Sequence, residues 1–371
     1  MRPKVIKTRT VEHRDTTPES PDGREPFCVH GPNEPVMAVR IGLTGDVMLG
    51  RLVDEHQSRR PVTAVWGDLL VELDALDGLF VNLECCLSTR GRPWKRTYRP
   101  FHFRANPDWA VPALQQAGVD CCALANNHVL DFEVEALQDT LDHLDRSEIA
   151  RAGAGRNRTE AFDPAVVTIA DLDVGFVSLT DNTPEYAATA STPGTAYVEV
   201  DVENERTRID VADALSRVRE HDPDLLVASL HWGPNMVTEP PDHFRAFARY
   251  LVDEGFDVVH GHSAHVFQGV ELYRGRPVLY DTGDFVDDYA VDPRLRNDRS
   301  FLFEVAVTAD GEVSELRLRP TEIRDFAVHP ASREAARWNR RRMRELSLAF
   351  DTTFERDGES LVLDLGGRGR A

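Results

Sequence analysis

From Met37 onward the chain repeats one unit: a short apolar run, a polar tip, then a segment whose apolar positions recur three and four residues apart. Short apolar or alternating runs mark strands, and spacing near about 3.6 residues marks helices. This pattern predicts strands at 37–44, 79–83, 119–124, 164–169, 174–179, 224–230, 256–260, 269–273 and 277–280. Helices are predicted at 62–75, 108–117, 132–145, 205–219 and 241–254, with 153–155 as a loop. Two later strands, 300–307 and 312–318, flank Ala309-Asp310-Gly311, a hairpin signal. An arginine-rich helix at 331–347 and a polar tail close the chain. Residues 1–36 lack any period and read as a disordered leader. Nothing resembling a linker divides 37–325, so the expectation is one layered α/β domain, with 326–371 as helix and tail.

Composition narrows the setting. Among 371 residues, 63 acids against 43 bases leave a net charge of −20. Self-repulsion of that size is eased by salt, which shortens screening to roughly 3 Å at about 1 M, so a salty host cytoplasm is expected. The charge also opposes a phosphate backbone, and nucleic acid is not an expected partner. Of five cysteines, four form the adjacent pairs Cys85-Cys86 and Cys121-Cys122. Adjacent pairs are poor disulfide frameworks, so they read as small buried apolar residues in a reduced, cytoplasmic compartment. No apolar stretch reaches the ~18 residues of a membrane span, so no membrane anchor is expected.

The polar tips carry the chemistry. Asp46 follows the first strand in "LTGDVMLGR"; Asn82 and Glu84 close the second in "FVNLE"; Asn126, Asn127 and His128 follow the third in "CALANNHVLDF". His231 ends "LLVASLHWG", and His260, His262 and His265 lie in "VVHGHSAH". Ligands of open α/β sheets bind at the carboxyl ends of strands, and five strands deliver Asp, Glu, Asn and His there. Taken singly, each residue has a plainer role as a cap, turn or core histidine. Together, unpaired carboxylates and imidazoles in a core would each cost several kcal/mol. A cation removes that cost. A mixed oxygen and nitrogen set without thiolate suits Mn, Fe or Zn, and two such ions could share one carboxylate.

The series "GDVMLGR", "NLE", "ANNH", "HWG" and "GHSAHVFQGVELYRGRPVLYDTGDF" resembles the CapA family, named for poly-γ-glutamate capsule synthesis and similar to the calcineurin-like metallophosphoesterases. The resemblance covers about residues 37–325. It implies an α/β/β/α metallophosphoesterase-like sandwich with the metal site at the carboxyl ends of the strands. It implies one or two divalent metal ions, with Asp46, Glu84, Asn127, His231, His262 and His265 as ligands. Asp46 also counts as catalytic, and His128 would be the acid. Met48 stands where the superfamily's opening motif carries a second ligand, and one extra residue separates His262 from His265. Asn82, Asn126, Gln268 and Asp284 are expected to orient the ligands from behind; the last lies in "YDTGDFVDDY", which also holds Asp281, Asp287 and Asp288.

A basic stretch follows Glu84. Between Cys85 and Pro107 there is no acid, but there are Arg90, Arg92, Lys95, Arg96, Arg99 and Arg104, with Trp94, Tyr98, Phe101 and Phe103 among them. Arginine forks bind carboxylate or phosphate bidentately. The stretch is expected to overhang the metal edge and hold an anionic small molecule or polymer; its plainer role is to pair with acidic helices. These expectations define a metal-dependent hydrolase of an anionic substrate. Three alternatives use the same edge: handling of a γ-glutamyl polymer, epimerisation of a peptide α-carbon, and non-catalytic binding of an anionic chain.

Overall fold

The computed structural model describes residues 38–366; the leader, Cys28 and residues 367–371 lie outside them. Two sheets stack face to face with helices on both outer sides. One sheet runs, in spatial order, Glu355–Asp357, Ser360–Asp364, Val313–Arg324, Arg299–Val307, Val39–Val47, Gly78–Leu83, Val119–Ala123 and Ala150–Ala152, with Asp284–Val286 on Val39–Val47 and Ala327–Pro330 on Val313–Arg324. The other runs Val270–Tyr273, Arg276–Leu279, Val258–His262, Leu225–His231, Leu172–Thr180 and Ala165–Ile169.

The alternation of side chains along each strand builds three apolar layers. Ile41, Leu43, Phe80, Cys121, Phe176, Val227 and Val258 meet between the sheets. Val81, Leu83 and Cys122 point the other way, onto Trp66 and the helices Pro107–Gln116 and Glu133–Arg146. Val177, Ala228 and Val259 pack on Glu205–Arg219 and Asp242–Glu254. This is the α/β/β/α order. It also explains the paired cysteines: Cys121 serves the inner layer and Cys122 the outer, both as buried free thiols. Burial pushes their pKa values up, so they are inert.

Nearly every strand and helix read from the pattern is present, with boundaries moved by at most three residues except at 312–318, which runs on as Val313–Arg324. Four readings need correction. Segment 62–75 is broken: a 3₁₀ stretch, Val62–Leu69, turns through positive φ at Gly67 before the helix Leu70–Asp74. The 153–155 loop contains the short strand Ala154–Gly155, paired with Gly194–Thr195. The helix Leu52–Gln57 and strand Asp284–Val286 were not anticipated. The polar tail is instead a hairpin, Glu355–Asp357 with Ser360–Asp364, whose second strand extends the larger sheet. Its exposed strand positions carry charge, which hides an edge strand from a pattern search. Among the described residues, no helix is long and apolar enough to cross a membrane.

Candidate metal centre

Sheet register gathers the polar tips. Asp46 lies in parallel register between Asn82 and Asp284, and His231 lies beside His262 on adjacent parallel strands. Gly45 permits the first of these: a Cβ there would fall 1.8 Å from the Gly283 carbonyl oxygen. The two sheets are tied at this edge by His260, whose Nε2 donates to the Thr44 carbonyl at 2.8 Å.

Asp46 is the centre of the constellation. Its Oδ1 lies 4.0 Å from His231 Nδ1 and 3.8 Å from His262 Nδ1, while Oδ2 lies 3.3 Å from His265 Nδ1. Two ligand sets result, Asp46–His231–His262 and Asp46–Glu84–His265, each with its donor atoms within 4.8 Å of one another and all fully buried. Glu84 follows Gly78–Leu83, and both of its carboxylate oxygens are buried without a hydrogen-bond partner. Its Oε1 stands 3.6 Å from His128 Nε2 and 3.6 Å from His231 Nε2. Asp46 Oδ2 is likewise unpartnered by hydrogen bonds.

The imidazoles are presented by their second nitrogens. His231 Nε2 donates to Asn127 Oδ1 at 2.7 Å, which leaves Nδ1 without a proton; it accepts from Asn82 Nδ2 at 3.3 Å and faces His262 Nδ1 at 3.0 Å. His262 Nε2 is 2.8 Å from Ser229 Oγ. When His262 spends its proton on that hydroxyl, two lone pairs confront each other across a gap that a shared cation would fill. Burial drives both imidazoles toward the neutral, ligand-competent form, His231 down to about 3 and His262 well below its ordinary value. His265 behaves oppositely. Burial works against its charge, but the Asp284 carboxylate, 2.8 Å from Nδ1, and Asp46 raise its pKa well above the ordinary value. It therefore supplies positive charge to the metal-free edge. Burial also lifts the Glu84 carboxyl well above its usual range, with the Asp46 charge adding to the rise. For Asp46 burial acts the same way, yet the His265 imidazole 3.3 Å from Oδ2, together with His231 and His262, overcomes it, and its pKa falls below the usual range.

The supporting residues form a chain. Asn126 Nδ2 donates to Asn82 Oδ1 at 3.1 Å and to the Leu83 carbonyl at 2.9 Å, and its Oδ1 accepts from the His128 amide at 3.1 Å. Asn82 Nδ2 in turn donates to Asp46 Oδ1 at 2.7 Å. Gln268 is engaged elsewhere: its side-chain Nε2 donates to the Val237 carbonyl at 2.8 Å. Met48 is buried in the outer apolar layer, so the second ligand set draws on Glu84 and His265 rather than on position 48.

The structure gives roles to residues that the pattern passed over or named without one. Asp131, fully buried, accepts from His128 Nδ1 at 2.6 Å and from the Phe103 amide at 2.7 Å. It stands three residues after His128 in the same polar tip, so its spacing was there to be read. Asp281 holds the strained loop bearing His265 by accepting from the Ala264 amide at 2.7 Å; Ser263 and His265 there have φ of 115° and 60°. Arg51 packs its guanidinium 4.3 Å from the Phe101 ring and 5.0 Å from Phe103, and pairs with Asp288 at 3.3 Å.

A cavity of about 470 Å³ opens on this edge, lined by Asn127, His128 and His265 on one side and by Arg99, Phe101 and Tyr289 on another. Of the six bases expected around the anion, only Arg99 lines it. Arg90 is bonded to Asp139, Arg96 to Glu133 at 2.5 Å, and Arg104 to the Arg90 carbonyl while stacked on Phe132. Arg92 and Lys95 lie on the outside of the loop.

A two-sheet sandwich with a histidine and carboxylate edge at its strand ends is the architecture that the sequence motifs implied. Residues 40–289 match the model of the bacterial capsule synthesis protein family PGA_cap, and the chain belongs to that family. A Mycobacterium tuberculosis protein named "Probable polyglutamine synthesis accessory protein" is 32% identical, over 86% of this chain and 93% of its own length. PGA biosynthesis protein CapA of Bacillus subtilis is 24% identical over 86% of this chain and 81% of its own. Capsule biosynthesis protein CapA of Bacillus anthracis is 27% identical over 66% and 59%.

Proposed function

We propose that the protein is a metal-dependent hydrolase of an anionic substrate, working within glutamyl-polymer or capsule metabolism. One observation carries the reading: Asp46 belongs to both candidate ligand sets, and beside it Glu84 is wholly buried with neither oxygen hydrogen-bonded. Isolated buried charge of this kind costs several kcal/mol, and one or two divalent cations of the Mn, Fe or Zn type fit the donor set. When bound, such ions supply Lewis acidity and a nucleophile at neutral pH, by lowering the pKa of water from about 15.7 to about 7.

The chain's own groups then have distinct tasks. Asp131 fixes the Nδ1 proton of His128, so the ring exchanges its other proton at Nε2, beside Glu84 and on the cavity wall. That is the position of a general acid for a leaving group. Arg99 pairs one end of its guanidinium with Glu185 at 3.3 Å and keeps an Nε without a hydrogen-bond partner for an anion. Phe101 and Tyr289 form an apolar wall that limits water.

The names of the relatives concern synthesis, which favours transfer or release of a glutamyl chain over simple phosphoester cleavage as the second reading. Elemental analysis of the purified protein, followed by phosphomonoesters, phosphodiesters and γ-glutamyl peptides with added Mn²⁺, tests both. Bound metal with turnover of one anionic class is expected. Metal with γ-glutamyl but no phosphoester turnover selects the second reading, and a protein that binds no metal overturns both.

A further inference from the structure

The arginine-rich helix Arg333–Ser347 takes no part in the metal edge. It borders a separate groove of about 580 Å³, closed on the far side by Thr352–Arg356. Arg337, Arg340, Arg341, Arg344 and Arg356 line this groove with one acid, Glu345, while Glu359 behind it pairs with Arg340 and with Arg356. In a chain of net charge −20 such a concentration runs against composition. Positions 337, 341 and 344 share one helix face. At about 1.5 Å of rise per residue they set a cation roughly every 5 Å along about 10 Å of groove.

Part of this array is fixed in advance. Arg340 is buried and bonds the Glu359 carboxylate at 2.5 Å and the Glu359 carbonyl at 2.8 Å, and Arg344 donates to the Phe354 carbonyl at 3.3 Å. The outer members are open: Arg337 is exposed with no ion pair among the described residues, and Arg341 reaches only Glu345, at 3.6 Å. Beside them Leu348 is 63% exposed, and with Phe354 it gives the groove an apolar strip.

We propose that this groove docks a γ-linked glutamyl chain, separately from the metal edge. An extended peptide advances at most about 3.3–3.6 Å per residue. A γ-linked residue has two more chain atoms and advances further, so its one free carboxylate per residue approaches the arginine spacing. Its methylene segments suit Leu348 and Phe354, which a bare polyphosphate would leave uncovered. The choice of a glutamyl chain rests on the polymer part of the function proposed above, whereas the groove and its charge do not.

The test is calorimetric titration of a synthetic γ-linked glutamate hexamer into the full chain at low salt, with and without EDTA. Saturable binding that survives EDTA is expected. It should weaken by at least about tenfold in Arg337→Glu/Arg341→Glu and by less than about twofold in the exposed, charge-matched control Arg59→Glu/Arg60→Glu. Should the double reversal disturb folding, Arg337→Gln/Arg341→Gln serves, with a loss of about threefold or more expected. No binding by the wild type, or an unchanged Kd in the groove variants, overturns the proposal. Loss of binding in EDTA would seat the hexamer on the metal edge and overturn it too. Inorganic tripolyphosphate binding more tightly than the hexamer would overturn the carboxylate assignment. Hexamer binding by a protein that holds no metal would sink the proposed hydrolase while leaving the groove standing.

Discussion

The metal edge and the basic loop beside it both began as sequence signals built from charged and polar residues, and they met opposite ends. The edge residues come from strand ends more than two hundred residues apart, yet register and burial force them together, leaving Glu84 and Asp46 with unpaired oxygens. The loop residues are neighbours in sequence, yet most are used locally: Arg90 on Asp139, Arg96 on Glu133, Arg104 on Phe132. A cluster whose members satisfy one another is structural. A cluster left unsatisfied in a dry interior needs a further species. The composition of the two regions does not distinguish these cases; their hydrogen-bond accounts do.

The contrast can be broken most forcefully at Asp46. Asp46→Ala removes the member common to both ligand sets, and metal affinity is expected to fall by more than the ~10–100-fold typical of losing an outer partner, with metal content after dialysis as the readout. His128→Ala is expected to retain metal and lose about 10²–10⁴ in kcat; retained turnover would remove it as the acid. Across the cavity, Arg99→Ala should raise KM by about tenfold to a hundredfold, as for a lost charged hydrogen bond. Arg92→Ala, which touches nothing in the cavity, should leave KM within about twofold. Equal effects of the two would erase the distinction within the loop.

The smallest effects concern stability and carry opposite signs. Glu84 has a raised pKa when folded, so it keeps its proton where the unfolded chain has released it. Its contribution therefore becomes unfavourable as pH rises above about 4.5. Glu84→Gln is expected to raise the melting temperature of the metal-free chain at neutral pH, with the gain shrinking toward acid. Asp139 has a lowered pKa, first through its hydrogen bond from Arg90, against the cost of burial. Its contribution is present above about 3.8 and is lost as pH falls through its lower folded value. Asp139→Asn should lower the melting temperature at neutral pH by a small amount that vanishes in acid. Melting curves across pH in EDTA check both.

Much of this was readable before any coordinates. The strand–tip–helix unit located a layered α/β domain because buried parallel strands are written as nearly continuous apolar runs; the two-sheet sandwich followed from the family resemblance. Polar residues at strand ends are anomalous, which drew attention to Asp46, Asn82, Glu84, Asn127, His128, His231, His260, His262 and His265; the resemblance chose the ligands among them. What escaped reading depended on partners distant in sequence. Gln268 looks like part of the histidine motif but turns to Val237. Arg51 looks like a surface base, yet its guanidinium is wedged against Phe101 and Phe103. The terminal hairpin is short and its outer strand exposed, so its pairing with Val313–Arg324 leaves little trace in hydropathy. Asp131 was the missed opportunity, because only the partner of His128 needed asking for.

Asp46 turns its two oxygens toward different histidines, Oδ1 to His231 and His262 and Oδ2 to His265. Occupancy of one set would thus change the charge and orientation available to the other, and loading would not follow two independent isotherms. By linkage, whatever the first ion does to the affinity of the second, the second does equally to the first. The edge would then respond to metal supply as a single cooperative element, with one carboxylate setting its steepness.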